Sequence, residues 1–224
     1  MSFSSLRTTL IASFALSVVT FAQPNVTVDS RYQIRYVANL NLGDSVINIT
    51  NSGARGAGLA AGTTAGTTGA ICVNVYAFSP DEQMISCCSC PVTPNGLVHL
   101  TARRDLVNNT LTPAVPTSIV VKLVATVPRD GSCSGSAASW GDLTRGMLAW
   151  GTTVHAGAAA GSAAVITETP FLPASLSFAN PDVPSTGIGE AARLQSLCTF
   201  IQANGSGFGI CSTCRLGGLG AGRL

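Results

Sequence analysis

The sequence predicts an all-β fold, a β-sandwich or a related barrel, braced by disulfides and closed by one C-terminal α-helix. Three observations predict it. Short segments that alternate at period two, or run briefly apolar, are separated by Gly, Pro and Asn turns with no helices interleaved. Eight cysteines, an even number, follow an N-terminal segment built like an export signal. A single stretch, 189–204, carries an apolar stripe at helical spacing.

Arg7 gives a positive start, residues 10–21 are uncharged and mostly apolar, and Thr20 and Ala22 supply small residues before a cut at Gln23. The apolar run is shorter than the roughly 20 residues of a membrane-spanning helix. The expected organisation is a signal peptide at 1–22, a β-domain at 23–184, a helix with a cysteine-rich cap at 185–214, and a disordered tail at 215–224. The mature chain is expected in an oxidising place, secreted, periplasmic or at the cell surface, with no membrane span after cleavage.

The strands follow in order. Residues 31–39 set Tyr32, Ile34, Tyr36 and Ala38 against Arg31, Gln33 and Arg35, one face buried and one wet. Residues 45–51 set Ile47 and Ile49 against Val46, Asn48 and Thr50. Residues 53–69 form a low-complexity loop of small residues. Residues 70–78 and 83–88 form a hairpin around the turn Ser79-Pro80-Asp81-Glu82, which brings Cys72 opposite Cys88, give or take one residue. A Cys72–Cys87 or Cys72–Cys88 bridge is expected there. Residues 97–102 make a further strand, and Arg103-Arg104-Asp105 reads as its solvated end. Residues 118–127, bracketed by prolines, are the most apolar and belong at the centre of a sheet. Residues 145–154 and 163–168 pair, and 176–179 add a last short strand. In the helix, Leu194, Leu197, Cys198 and Ile201 share one face, Glu190 sits in the first turn, and Gly205 ends it.

Two stretches carry a family likeness. Residues 43–53, GDSVINITNSG, resemble a strand of an immunoglobulin-like surface domain, which implies an immunoglobulin-like sandwich and no particular function. Gly43-Asp44-Ser45 also resembles the opening of the GDSL-type esterases. Here Val46 stands where those enzymes have Leu, and no Asp-x-x-His follows, so a turn is the reading.

Charge is scarce. Asp, Glu, Lys and Arg make up 10% of the chain, against about 25% in ordinary soluble proteins. The formal net charge is +2, and Lys122 is the one lysine. The clustered cations that nucleic acid requires are missing, whereas a weakly charged surface favours association. The partner expected is the chain itself or another extracellular surface component.

Residues arranged for chemistry are few. Cys133 sits in Gly-Ser-Cys-Ser-Gly, shaped like a nucleophile elbow, but in an exported chain it is read as bridged. His99 and His155 are the only histidines, and so the only imidazole bases for a spatially assembled Ser/His/Asp hydrolase. Cys87, Cys88 and Cys90 with Cys211 and Cys214 could supply a four-thiolate zinc site, and Cys211-x-x-Cys214 a redox pair. Export favours disulfides for all eight: Cys72, Cys87, Cys88, Cys90, Cys133, Cys198, Cys211 and Cys214. No nucleotide, haem or other cofactor motif is present. Trp140, Trp150 and Tyr76 offer stacking faces for a carbohydrate-binding module. The reading that fits best is an exported, non-enzymatic structural or binding protein, a self-assembling surface subunit in which residues 25–37 donate a strand to a neighbour.

Overall fold

The most apolar segment lies where its composition sends it, in the middle of a sheet. In the computed structural model, which describes residues 31–56, 69–110, 115–136, 140–157, 162–178 and 188–214, the strands are β1 (Tyr32–Val37), β2 (Val46–Asn51), β3 (Ile71–Phe78), β4 (Met84–Val92), β5 (Leu97–Thr101), β6 (Ile119–Thr126), β7 (Met147–His155), β8 (Val165–Pro170) and β9 (Leu172–Pro173). They form two antiparallel sheets, ordered β4-β3-β6-β1-β9 and β5-β2-β7-β8. Central β6 is paired along its whole length, with β1 on one side and β3 on the other.

The facing sides of the two sheets share one core. Val73, Val75, Val121 and Leu123 from the first sheet meet Ile47, Ile49, Met147 and Ala149 from the second. The alternation of β2 therefore reads directly, with its isoleucines in and Asn48 out. The other side of the first sheet is also covered, which is why all eight residues of β3 are buried. There Tyr32, Tyr76, Phe78 and Val124 meet Leu194, Cys198 and Ile201 of the helix α1 (Glu190–Ala203).

Helix α1 matches its predicted span and stripe. Gly189 lacks a side chain to cap it, so the Ser177 hydroxyl accepts from the Glu190 N–H at 2.9 Å instead. Lys122 of β6 pairs with Glu190 and lies 4.8 Å from the centre of the Phe78 ring. Gly205 takes φ +65° and ends the helix. A 14-residue helix is marginal alone. Burial of Leu194 and Ile201 contributes roughly 3–6 kcal/mol. The Cys87–Cys198 bridge, closing a separation of 111 residues, contributes about 4–5 kcal/mol in the chain-entropy model. The two are comparable, so neither alone holds the helix.

The disulfides correct one expectation. Cys72 joins Cys133, neither Cys87 nor Cys88. The β3–β4 hairpin pairs Tyr76 with Cys87 and Cys72 with Pro91, and a bulge at Ala77/Phe78 shifts the register from the one a simple turn would set. The other three bridges converge on β4: Cys87–Cys198, Cys88–Cys211 and Cys90–Cys214. Successive strand residues point to opposite faces. Cys87 therefore reaches the helix side, while Cys88 and Cys90 reach the inter-sheet core.

Residues 205–214 bridge the two sides by passing around the free edge of β4. Cys87 N–H donates to Gly209 O at 2.8 Å there, and Cys87 and Ile210 form one parallel bridge.

Arg103-Arg104-Asp105 is no strand end. Residues Ala102–Val107 form a single wide π-turn, and Asp105 is buried at 2% exposure. Its carboxylate accepts from Thr101 N–H at 2.6 Å, from Arg104 at 3.2 Å and from the Thr213 hydroxyl at 2.8 Å. Burial by itself raises the carboxyl pKa. The hydrogen bonds from Arg104, Thr101 and Thr213, with the Arg104 charge, outweigh it and hold Asp105 below the ordinary aspartate value.

Three further expectations change. Gln33 and Arg35, read as the wet side of β1, point between the sheets and are buried, while Tyr36 stands out in solvent. Residues 176–178 form no strand, and β9 appears instead at Leu172–Pro173. Within 25–37, residues 32–37 are β1 itself, paired along its length with β6, so they are not free to be donated. The proposed signal at 1–22, the tail at 215–224, most of the loop at 53–69 and Ala179 lie outside the described residues.

Two outcomes follow from the clamp on β4. Mapping a non-reduced digest should join Cys72 to Cys133 and each β4 cysteine to the partner given above. Replacing Cys87 and Cys198 together by serine should lower unfolding stability by about 2–5 kcal/mol in urea titrations, with the sheets retained by circular dichroism. A third concerns pH. Because the folded-state pKa of Asp105 is depressed, the unfolded chain takes up the proton first. The stabilisation is complete above the unfolded value, about 4, and is lost as pH falls through the lower folded value. Urea midpoints measured from pH 7 downward should fall in that acid window, and Asp105→Asn should remove part of the fall.

Candidate functional site at the open edge between the sheets

The β4 edge of the first sheet is clamped by disulfides, and the far edge of the body carries none. There the first sheet ends in β9, which pairs only with Gln33 and Ile34 of β1, and the second ends in β8, whose six residues are all exposed. The chain crosses from β8 to β9 through the buried Phe171, whose N–H donates to Ala149 O at 2.9 Å.

Arg35 occupies the gap between the sheets at this edge, 7% exposed. One terminal nitrogen, Nη1, donates to Thr169 O at 2.9 Å and to the Thr169 hydroxyl; Nη2 donates to the Thr153 hydroxyl at 3.0 Å. The guanidinium lies 6.0 Å from the centre of the Phe171 ring. Its Nε has no hydrogen-bond partner and sits on Gly151, where a Cβ would come within 2.5 Å of it. A glycine at 151 is what lets the arginine lie flat between the sheets. Burial disfavours the charged form and pulls the Arg35 pKa down, while Glu168 pushes it back up. Glu168 is on the outer face of β8, where it accepts from Asn48 at 3.3 Å.

Beside Arg35 and Thr169 lies an open pocket of about 410 Å³, walled mainly by Ile34, Tyr36, Leu172 and Pro173. This volume is in the range of small-molecule sites, roughly 300–1,000 Å³. Tyr36 and Leu172 are 62% and 69% exposed at its mouth.

The other candidates are scattered. His99 is on the outer face of the second sheet, in one row with Asn48, Trp150 and Pro170. His155 ends β7 on the opposite face, with Nε2 2.9 Å from the Thr167 hydroxyl. Alternation along the strands thus puts the two histidines on different sides of one sheet. Cys133 is bridged to Cys72, so it is no nucleophile. The two short cysteine pairs do meet, as a zinc site would require, but their sulfurs are joined pairwise, Cys88 to Cys211 and Cys90 to Cys214. All eight cysteines are bridged. Tyr76 is buried, its hydroxyl donating to Gly135 O at 3.0 Å, so it offers no stacking face; Trp150 is partly exposed, and the Trp140 side chain lies outside the described residues.

Sequence reading missed Arg35 because alternation gives two faces without naming the inner one. The signal that could have found it is the glycine at 151, in a strand that otherwise carries side chains able to pack. Gly151→Ala should destabilise the chain by roughly 1–3 kcal/mol in chemical denaturation, because the new methyl meets the Arg35 side chain.

No protein-family model, no curated protein and no solved structure matches this chain.

Proposed function

We propose that this chain is an exported, non-enzymatic structural or binding subunit, built as an immunoglobulin-like β-sandwich, that associates with copies of itself through the outer edge of β8. The observation that carries the reading is the state of that strand. No described strand pairs with its outer edge, and Val165 and Ile166 are both largely exposed. Edge strands of this kind are templates for pairing with another chain.

Backbone direction supports a particular register. Phe171 N–H bonds to Ala149 O, so residues two and four positions before it also turn their peptide groups toward β7. Ile166, Glu168 and Pro170 turn theirs outward. Pro170 then costs the ladder nothing, because its nitrogen faces the free edge. Antiparallel pairing of two β8 strands around a two-fold axis at Thr167 sets Ile166 opposite Glu168 of the second copy. The alternative centred on Glu168 would oppose two carboxylates and is disfavoured. A weakly charged surface, net +2 over the whole sequence, offers little repulsion to such contact. Four disulfides, with the signal-like segment at 1–22, support export to an oxidising compartment. Among the described residues no helix is long and apolar enough to cross a membrane.

Light scattering on the oxidised protein from residue 23 onward should give a dimer or larger species. Ile166→Pro removes an outward N–H that the intrachain ladder does not use, so it should leave the fold intact and shift the protein to monomer. A wild-type monomer at high protein concentration would remove the proposal.

A further inference from the structure

The Cys72–Cys133 bridge stands apart from the other three. It is the one that does not involve β4, and Cys133 is the one cysteine of the eight that is not buried. It fastens the loop that leaves β6 to the start of β3. Two residues further on, this loop crosses the Cys87–Cys198 bridge. Gly135 is buried there, and a Cβ on it would come within 3.2 Å of Cys198 Sγ and 3.3 Å of Cys88 O, so its backbone packs against the second bridge. The Tyr76 hydroxyl donates to Gly135 O at 3.0 Å. The Ser136 hydroxyl donates to the side-chain oxygen of Gln202, whose amide nitrogen lies 3.5 Å from Cys198 Sγ. Cys87 and Cys198 are both fully buried beneath this cover. Thiol–disulfide exchange requires that a thiolate reach a sulfur. Cys133 can be reached as the chain stands, whereas Cys198 can be reached only after residues 133–136 have moved.

We propose that the Cys72–Cys133 bridge is a redox latch: a small dithiol opens it first, and its opening exposes the Cys87–Cys198 bridge to reduction and so loosens α1. In the first step a thiolate of the dithiol bonds to Cys133 Sγ as the bond to Cys72 breaks, and Cys72 leaves with the electron pair and takes up a proton. The second thiolate of the dithiol then displaces Cys133, which is protonated in turn. The dithiol ends as a cyclic disulfide and the protein gains two thiols. A second dithiol cleaves Cys87–Cys198 with the same balance. Helix α1 then loses one of the two comparable contributions that dock it on the first sheet. The chain is closed under oxidising conditions and opens in two ordered steps under reducing ones. Strand pairing through β8 plays no part in this, and the two proposals fail separately.

The test is a time course on the folded, disulfide-intact protein in dithiothreitol without denaturant, with samples quenched by iodoacetamide and the alkylated cysteines mapped by mass spectrometry. Cys72 and Cys133 should be labelled first, about tenfold or more faster than any other pair, the difference between a sulfur within reach and one that waits on local opening. Cys87 and Cys198 should follow after a lag, and amide hydrogen exchange over residues 190–203 should rise only as they are labelled. Cys72→Ser combined with Cys133→Ser should abolish the lag. Tyr76→Phe keeps all four bridges and removes the hydroxyl that holds Gly135, so it should leave the first step unchanged and speed the second about fivefold. If the double serine variant does not fold, the wild-type lag and Tyr76→Phe decide. Opening of any other bridge before Cys72–Cys133, labelling of Cys87 and Cys198 without a lag, a lag that persists in the double variant, or an unchanged second step in Tyr76→Phe would overturn the proposal.

Discussion

The rest of the structure depends on the clamping of β4. One strand carries Cys87, Cys88 and Cys90, and pleating sends their sulfurs to two different faces. A chain that leaves the helix on one side of the sheet must therefore go around the strand to reach the other. It does so through residues 205–214, which lay a backbone hydrogen bond against the strand edge on the way. The same segment supplies the Thr213 hydroxyl to Asp105, so the clamp also fixes the π-turn after β5. An edge that would otherwise expose unpaired peptide groups is covalently covered.

That closure makes the body asymmetric. With β4 sealed, the first sheet's open peptide groups are those of β1 beyond the short β9, while the second sheet is open at both β5 and β8. Part of the exposed apolar surface lies there, in Tyr36, Val165, Ile166 and Leu172. A stable side and a receptive side thus arise from one distribution of cysteines. Loops carry binding residues in many proteins; here the pocket is formed by strand edges and the crossing between sheets, both held by the core.

Three buried polar groups illustrate different uses of the interior. Asn74 is satisfied by Thr126 and Ser89, all from the first sheet, and stiffens the helix-side layer locally. Asp105 ties the end of β5 and its own π-turn to Thr213, 108 residues further on, and its charge is answered by Arg104. Arg35 ties β1 to β7 and β8 through Thr153 and Thr169, with Glu168 favouring its charged form.

Much of the fold was legible in the residues. The β-rich class, the core faces of β2 and β5, the central place of β6, and the span, apolar stripe and glycine stop of α1 follow from periodicity and turn chemistry, which act over a few residues. The position of His99 on the outer side of β5 was legible for the same reason. The disulfide map was not, because a single bulge at Ala77/Phe78 changes which residues face each other, and three bridges span more than a hundred residues. Nor was the inward turn of Gln33 and Arg35, since period two fixes that β1 has two faces and leaves to its neighbours which one is covered. Tyr32 is buried because α1 covers one side of the first sheet, and Arg35 because the second sheet covers the other. The sequence by itself determined the local elements, through interactions between residues close in the chain. Only the tertiary structure decided the pairing of cysteines, the burial of Arg35 and Asp105 and the open edge, because each depends on which distant segments pack together.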